Sequence, residues 1–197
     1  MTRLLVATTN RGKQSEFRRL LASLDAEIVT PDELGLDLHV PEPYDTYAEN
    51  AIAKADAYCR ASSLLTIADD SGIEVAALDW GPGPRSARFG GPEVTDRAAH
   101  LLSVVGDAPD RRARMVCDLA IAEPGDPPLI CTVQGVVEGS LAVFPRGTGG
   151  FGYDPIFLLP AGLTTGELPE GQKDAISHRG RAVEAALPIL QRLLAGG

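Results

Sequence analysis

Apolar positions follow two rhythms along this chain, and the switch between them predicts its architecture. Leu4, Leu5, Val6 and Ala7 form a short continuous apolar run, the pattern of a buried strand. Asn10 is then placed to cap a helix whose Phe17, Leu20, Leu21 and Leu24 recur at helical spacing. Glu27 to Val29 reads as a second strand, and residues 30–45, with Pro31, Pro41 and Pro43, as a loop. Thr46 and Glu49 make a capping box that starts a second helix, running to about Ser62. Leu64 to Ala68 is a strand ending on Asp69, Asp70, Ser71 and Gly72, and Ile73 to Leu78 is another short strand.

Trp80 to Gly91 is too rich in Gly and Pro for regular structure and reads as loop. Thr95 caps a helix that places Ala98, Leu101, Leu102 and Val105 on one face. The period then changes to two. Ala113, Met115, Cys117, Leu119 and Ile121 alternate, as do Leu129, Cys131 and Val133, with a Pro-Gly turn at 124–127 between them. That is an antiparallel hairpin, which Val136 and Val137 extend. Residues 145–155 form a glycine-rich loop. A last helix follows Ser177, with Ala182, Ala185, Ala186, Ile189 and Leu190 inward and Pro188 expected to kink or split it. Alternating βα units followed by a hairpin predict an α/β fold with a mixed sheet and flanking helices.

Composition narrows the function more than the fold. A length of 197 residues suits one domain or two lobes sharing a core, and the apolar content of 44% is ordinary. A net charge of −9 disfavours a nucleic acid polymer as partner. No stretch is long and apolar enough to cross a bilayer, and the N-terminus lacks a signal-peptide layout. Three cysteines with no C-x-x-C pair fit a reducing, cytoplasmic setting. Lysine is scarce: of 18 basic residues only Lys13, Lys54 and Lys173 are lysines. Each lies in a segment suited to anion or helix-start chemistry, which ranks these three positions as candidates.

Five motifs carry candidate chemistry. Thr8, Thr9, Asn10, Arg11, Gly12 and Lys13 link a strand to a helix, where free backbone amides and a lysine can face an anion. An ordinary capped helix gives the same pattern, and this is no Walker A loop. Asn50 and Lys54 share one helix face amid alanines. Asp69 and Asp70 point to opposite faces of a regular strand and so take different roles, with one able to hold Mg²⁺ and the other to orient or activate water. Asp-Ser-Gly is also plain turn chemistry. Glu42 is a further carboxylate in the preceding loop.

The segment Gly147 to Pro155 contains a literal G-x-G-x-x-G, but it does not open a helix, which excludes a dinucleotide fingerprint. Phe151, Gly152, Tyr153 and Asp154 read instead as a base-stacking loop, or as a hairpin loop with one buried aromatic. Lys173 precedes Ser177, His178 and Arg179, whose charges oppose a helix dipole unless an anion or acceptor-rich ligand is near. His39 and His100 lie in no cluster and read as structural or surface residues.

Taken in order, Glu49 to Ala55, Ala68 to Gly72, Ser86 to Gly90, Gly149 to Phe157 and Ser177 to Arg179 resemble the inosine/xanthosine triphosphate pyrophosphatase family, the Ham1-like or RdgB-like proteins. The resemblance runs from Leu5 to about Ala182. It implies a cytoplasmic homodimer of two-lobed subunits with the site in a central cleft. The implied reaction is Mg²⁺-dependent hydrolysis of ITP, dITP or XTP to the monophosphate and pyrophosphate. Thr8 to Lys13 and Lys54 would then hold the triphosphate. Asp70 would be proton acceptor and metal residue, with Asp69 and Glu42 as further metal candidates and Ser71 beside the substrate. Phe151 to Asp154, Lys173, His178 and Arg179 would form the base and ribose pocket. Thr9 and Phe89 depart from the family's usual glycine and tyrosine. A Maf-like pyrophosphatase of other base preference and a nucleotide-binding module without turnover are the alternatives.

Overall fold

In the computed structural model, which describes residues 2–196, β1 (Arg3–Val6) lies between β2 (Glu27–Val29) and β3 (Leu65–Val75), parallel to both. Two helices make the connections, α1 (Arg11–Leu20) and α2 (Tyr47–Ser62). Asn10 caps α1 by accepting from the Lys13 amide, and Thr46 caps α2 by accepting from the Glu49 amide, as the local sequence predicts. Short β4 (Gly81–Pro82) pairs with the far end of β3. α3 (Arg97–Val105) leads into the hairpin of β5 (Arg112–Glu123) and β6 (Leu129–Leu141), which pairs antiparallel with β3, and β7 (Phe157–Leu158) closes that edge. The sheet order is β2-β1-β3-β5-β6-β7, so the mixed α/β architecture holds. The chain ends with α4 (Glu170–Ile176) and α5 (His178–Ala195).

Several local expectations change. Asp69 to Gly72 does not end a strand. β3 continues through it to Val75, because β5 supplies a partner for every residue from Thr66 to Val75, and ladder pairing overrides local turn chemistry. Residues 76–78 and 83–88 are 3₁₀ turns rather than strand or irregular loop. The cap of α3 is Asp96, not Thr95, with its carboxylate accepting from Ala99. α5 is not split at Pro188, which lies on its exposed side while Val183, Ala186 and Leu190 pack inward. Ala185 is exposed, and Val183 takes the inward position expected of it.

Both faces of the central strands are covered, so β5 is buried on both faces although its most apolar residues alternate. One face splits into two clusters. Leu4, Phe17, Ile67, Leu119, Val183 and Leu190 pack α1 and α5 at one end of β3. Ile73, Leu101, Met115, Tyr153 and Phe157 pack α3 and the 151–159 segment at the other. The opposite face holds α2 against Leu5, Ala68, Ala120 and Ala122.

α5 seats on β6 at Gly135. A Cβ there would stand 2.0 Å from the His178 carbonyl oxygen and 2.5 Å from the Ala182 amide. Gly135→Ala is therefore expected to cost about 1–3 kcal/mol in urea denaturation and to displace the start of α5, the usual penalty of overpacking. Unchanged stability would mean that α5 does not sit against β6 this closely.

Candidate active site

Between the two clusters, across the middle of β3, opens a cavity of about 640 Å³, large enough for a nucleotide. Adjacent carboxylates on β3 divide its chemistry. The pleat turns the Asp69 side chain toward α1 and α5 and Asp70 toward α2. Asp69 is 1% exposed. Its Oδ2 receives Lys13 Nζ at 2.9 Å and Arg179 Nη2 at 3.1 Å and Nε at 3.3 Å. Burial pushes this carboxyl up, but Lys13, Arg179 and Lys54 hold it well below the usual range. Asp70 is held from α2 by Asn50 Nδ2 at 2.9 Å and by the Ser71 amide at 3.0 Å. Burial raises its pKa against the pull of Lys54. It lines the cavity with Ser71.

The lysines are internally engaged. Lys54 donates to the Asp69 backbone carbonyl at 2.6 Å and pairs with Glu42. Lys173 donates to Asp154 at 2.7 Å and lies 4.9 Å from the centre of the Phe151 ring. That ring packs on the start of α1, where a Cβ on Gly12 would come within 2.8 Å of it. Gly12 is thus explained by the aromatic contact. Asp154, 3% exposed, receives the Phe151 amide, Thr165 and Lys173, and so braces the glycine-rich loop.

Arg179 is 2% exposed. Besides Asp69 it donates to Glu16 at 2.7 Å and to Ser71 Oγ at 2.9 Å. Burial opposes its charge, but Asp69 and Glu16 raise its pKa further. His178 is buried, and burial with the nearby Arg179 charge drives its imidazole well below the ordinary value, so it is neutral at neutral pH.

Most predicted site residues meet in this cavity: Thr8, Thr9, Asn10, Gly12, Lys13, Glu42, Lys54, Asp70, Ser71, Phe151 to Asp154, Lys173, His178 and Arg179 all line it. Arg11 does not, since its exposed side chain is outside the lining. Asp69 does not line it either. Its Oδ2 is taken by Lys13 and Arg179, while its Oδ1 is buried without a hydrogen-bond partner among the described residues. Tyr153 is no free stacking surface, because its ring packs in the second cluster and its hydroxyl donates to the Ser86 carbonyl at 2.8 Å. Arg179 lines the cavity and donates four hydrogen bonds to Asp69, Glu16 and Ser71.

Sequence reasoning missed Glu16, which is 1% exposed beneath Arg179 and Ser177. It also set aside His39, which stands on the cavity wall, and passed over Arg97, which opens α3 and lines the same cavity. A cation at a helix start was the signal used for Arg179, and it applies equally to Arg97.

Comparison with known proteins decides the family. A profile of the Ham1 family matches residues 4–189. The chain belongs to the Ham1 family. Among Ham1 relatives, a dITP/XTP pyrophosphatase of a Nostoc species is 42% identical, with 97% of this chain and 95% of that protein aligned. One from Escherichia coli O157:H7 is 41% identical over 97% and 99%. A Ham1 protein structure from Coxiella burnetii superposes with a TM-score of 0.87 at 37% identity, covering 98% of this chain and 100% of that one.

The two aspartates should respond unequally to neutralisation. Asp69→Asn leaves Arg179 and Lys13 buried without their counter-charge and is expected to cost about 3 kcal/mol or more. Asp70→Asn removes a charge that burial already disfavours and is expected to change stability by less than about 1 kcal/mol. The Asp69 contribution is present above the unfolded aspartate value of about 3.9 and is lost as pH falls toward its lower folded value. Urea denaturation of both variants at neutral and acidic pH checks this. Equal losses would contradict the division of roles.

Proposed function

We infer that this chain is a nucleoside triphosphate pyrophosphatase that hydrolyses non-standard purine nucleotides such as dITP, ITP and XTP to monophosphate and pyrophosphate, as the names of its Ham1 relatives suggest. The observation that carries the mechanism is Asp70, an oriented carboxylate of raised pKa open to the cavity between Lys13 and Lys54. A general base works best with a pKa moved toward the working pH. Asn50 and the Ser71 amide hold its two oxygens, so one geometry is presented to an attacking water. The water attacks the α-phosphorus, its proton passes to Asp70, and the α–β anhydride bond breaks to release pyrophosphate. The amides at the start of α1, with Lys13 and Lys54, take up charge on the leaving pyrophosphate. Lys13 exchanges its Asp69 partner for phosphate oxygen as substrate enters.

Charge balance supports a divalent cation, which we assign as Mg²⁺. Around the cavity Lys13, Lys54, Lys173 and Arg179 are matched by Glu16, Glu42, Asp69, Asp70 and Asp154. With Arg97, which also lines the cavity, five cations face five carboxylates and no surplus positive charge is left for a polyphosphate. Among the described residues no three His, Cys, Asp or Glu side chains form a ready metal cage. Mg²⁺ commonly takes one or two carboxylates and completes its shell with water and substrate phosphate. Glu42 would hold it by exchanging Lys54 for the ion, with Asp70 facing it through water, which leaves the Asp70 carboxylate free to accept the proton. Bound there, it would neutralise phosphate charge and acidify water.

For the base, neutral His178 offers one ring N–H, and the loop amides offer further donors to a 6-oxo group. Adenine presents a donor there and leaves such groups unpaired. The rest of the proposal is a single two-lobed domain working as a cytoplasmic homodimer, in which the exposed Val143 and Phe144 are an apolar pair that a second copy could cover.

Pyrophosphate release from ITP with Mg²⁺ is the direct test, with XTP, GTP and ATP in parallel. Asp70→Asn is expected to lower kcat by about 10²–10⁴, the usual worth of a general base. Near-normal turnover in that variant would remove Asp70 from its role. A kcat/KM for ATP equal to that for ITP would contradict the base selection.

A further inference from the structure

Arg97 is a cation of this cavity that the mechanism does not use. It is the first residue of α3, where positive charge opposes the helix dipole. Its Nε is buried and, among the described residues, has no hydrogen-bond partner. Leaving such a donor unmet is costly unless a ligand meets it. Arg97 lines the cavity, as do Ser86, Ala87, Met115 and Tyr153. Its charge reaches the Tyr153 phenol, which burial pushes up to about 12 against the pull of Arg97.

Position along β3 says which end of a nucleotide Arg97 meets. Lys13, at the phosphate loop, is fixed at Asp69. Tyr153 is tied to Ser86, and Ser86 Oγ receives the Ile73 amide at 2.9 Å. From Asp69 to Ile73 is four residues of strand, about 13 Å at the usual rise. Arg97 therefore stands along the cavity from Lys13 at about the reach of a nucleotide whose phosphates are at Lys13. Phe151, Lys173 and His178 line the same cavity.

We propose that Arg97 reads the 2-position of the purine, attracting the 2-oxo group of xanthine and rejecting the 2-amino group of guanine. This rests on the nucleotide pyrophosphatase assignment above. Guanine and hypoxanthine share the 6-oxo group, so donors at His178 cannot separate them. Position 2 is where they differ. Guanine places an N–H donor there against the donors of a guanidinium, leaving both unpaired. Xanthine places an acceptor there, and its second oxo group acidifies the ring so that it is largely anionic at neutral pH. Hypoxanthine has only hydrogen at position 2 and is affected least.

The test compares kcat/KM for XTP, ITP and GTP in the parent, Arg97→Gln and Arg97→Lys, and the affinity of each protein for XMP and IMP without turnover. Arg97→Gln is expected to lower the XTP-to-ITP ratio about tenfold or more and to raise GTP relative to ITP, in the range of a lost charged hydrogen bond. Arg97→Lys, which keeps the charge, retains part of the XTP preference. The XMP-to-IMP affinity ratio should fall in parallel with the XTP-to-ITP ratio. An equal loss for all three triphosphates would place Arg97 on phosphate or ribose and overturn the proposal, as would unchanged ratios. If the parent released no pyrophosphate from any triphosphate, the pyrophosphatase assignment would fail instead, and the XMP and IMP affinities would still decide the role of Arg97.

Discussion

A buried carboxylate with almost no contact with water must find positive charge, and Asp69 finds it from three directions. Its side chain draws Lys13 from the start of α1 and Arg179 from the start of α5, and its backbone carbonyl takes Lys54 from α2. Glu16 repeats the device one layer out, binding Arg179 and Ser177. Three helices distant in sequence are thereby registered against one position of β3. Buried ion pairs of this kind contribute little net stability over an apolar core, but removing one partner is severe. Their effect here is geometric. They place the walls of the cleft relative to each other.

The same constraint explains why the neighbouring carboxylate is available for chemistry. Strand geometry sends Asp69 and Asp70 to opposite faces, so Lys13 and Arg179 bond directly to Asp69 while Lys54 and Lys13 act on Asp70 only through space. Asp70 meets neutral donors, from Asn50 and the Ser71 amide, and its pKa rises where that of Asp69 falls. Titrating groups pushed apart in this way are the pattern expected of a structural anion beside a working base, the role proposed for Asp70. In the proposed reaction a substrate bringing phosphate and a metal ion enters a cleft whose three lysines and Arg179 are already paired, and Lys13 exchanges Asp69 for phosphate.

Much of the fold was legible because its signals are local. The α2 boundaries follow from the Thr46–Glu49 capping box and the break at Ser63, which adopts φ +56°. The hairpin follows from period-two alternation. Elements that depend on distant partners were not legible. β3 continues through Asp-Asp-Ser-Gly only because β5 pairs with it. α4 has no apolar stripe to reveal it, since its buried residues are Lys173 and Asp174. For the site, residue identities were visible but commitments were not. Glu16 has the appearance of a solvated helix glutamate until Arg179, 163 residues later, is seen beside it. Arg179 has the appearance of a free donor until four of its hydrogen bonds are traced to Asp69, Glu16 and Ser71.

The central claim is that Asp69 is a permanently ionised counter-charge and Asp70 the titrating group beside it. Carbon-13 NMR of the two side-chain carboxyl carbons, followed against pH in the metal-free protein, measures this directly. The account predicts that Asp69 shows no titration at any pH where the protein stays folded, while Asp70 titrates above the ordinary aspartate value of about 3.9. Titration of both near that value, or of Asp69 above Asp70, would contradict it.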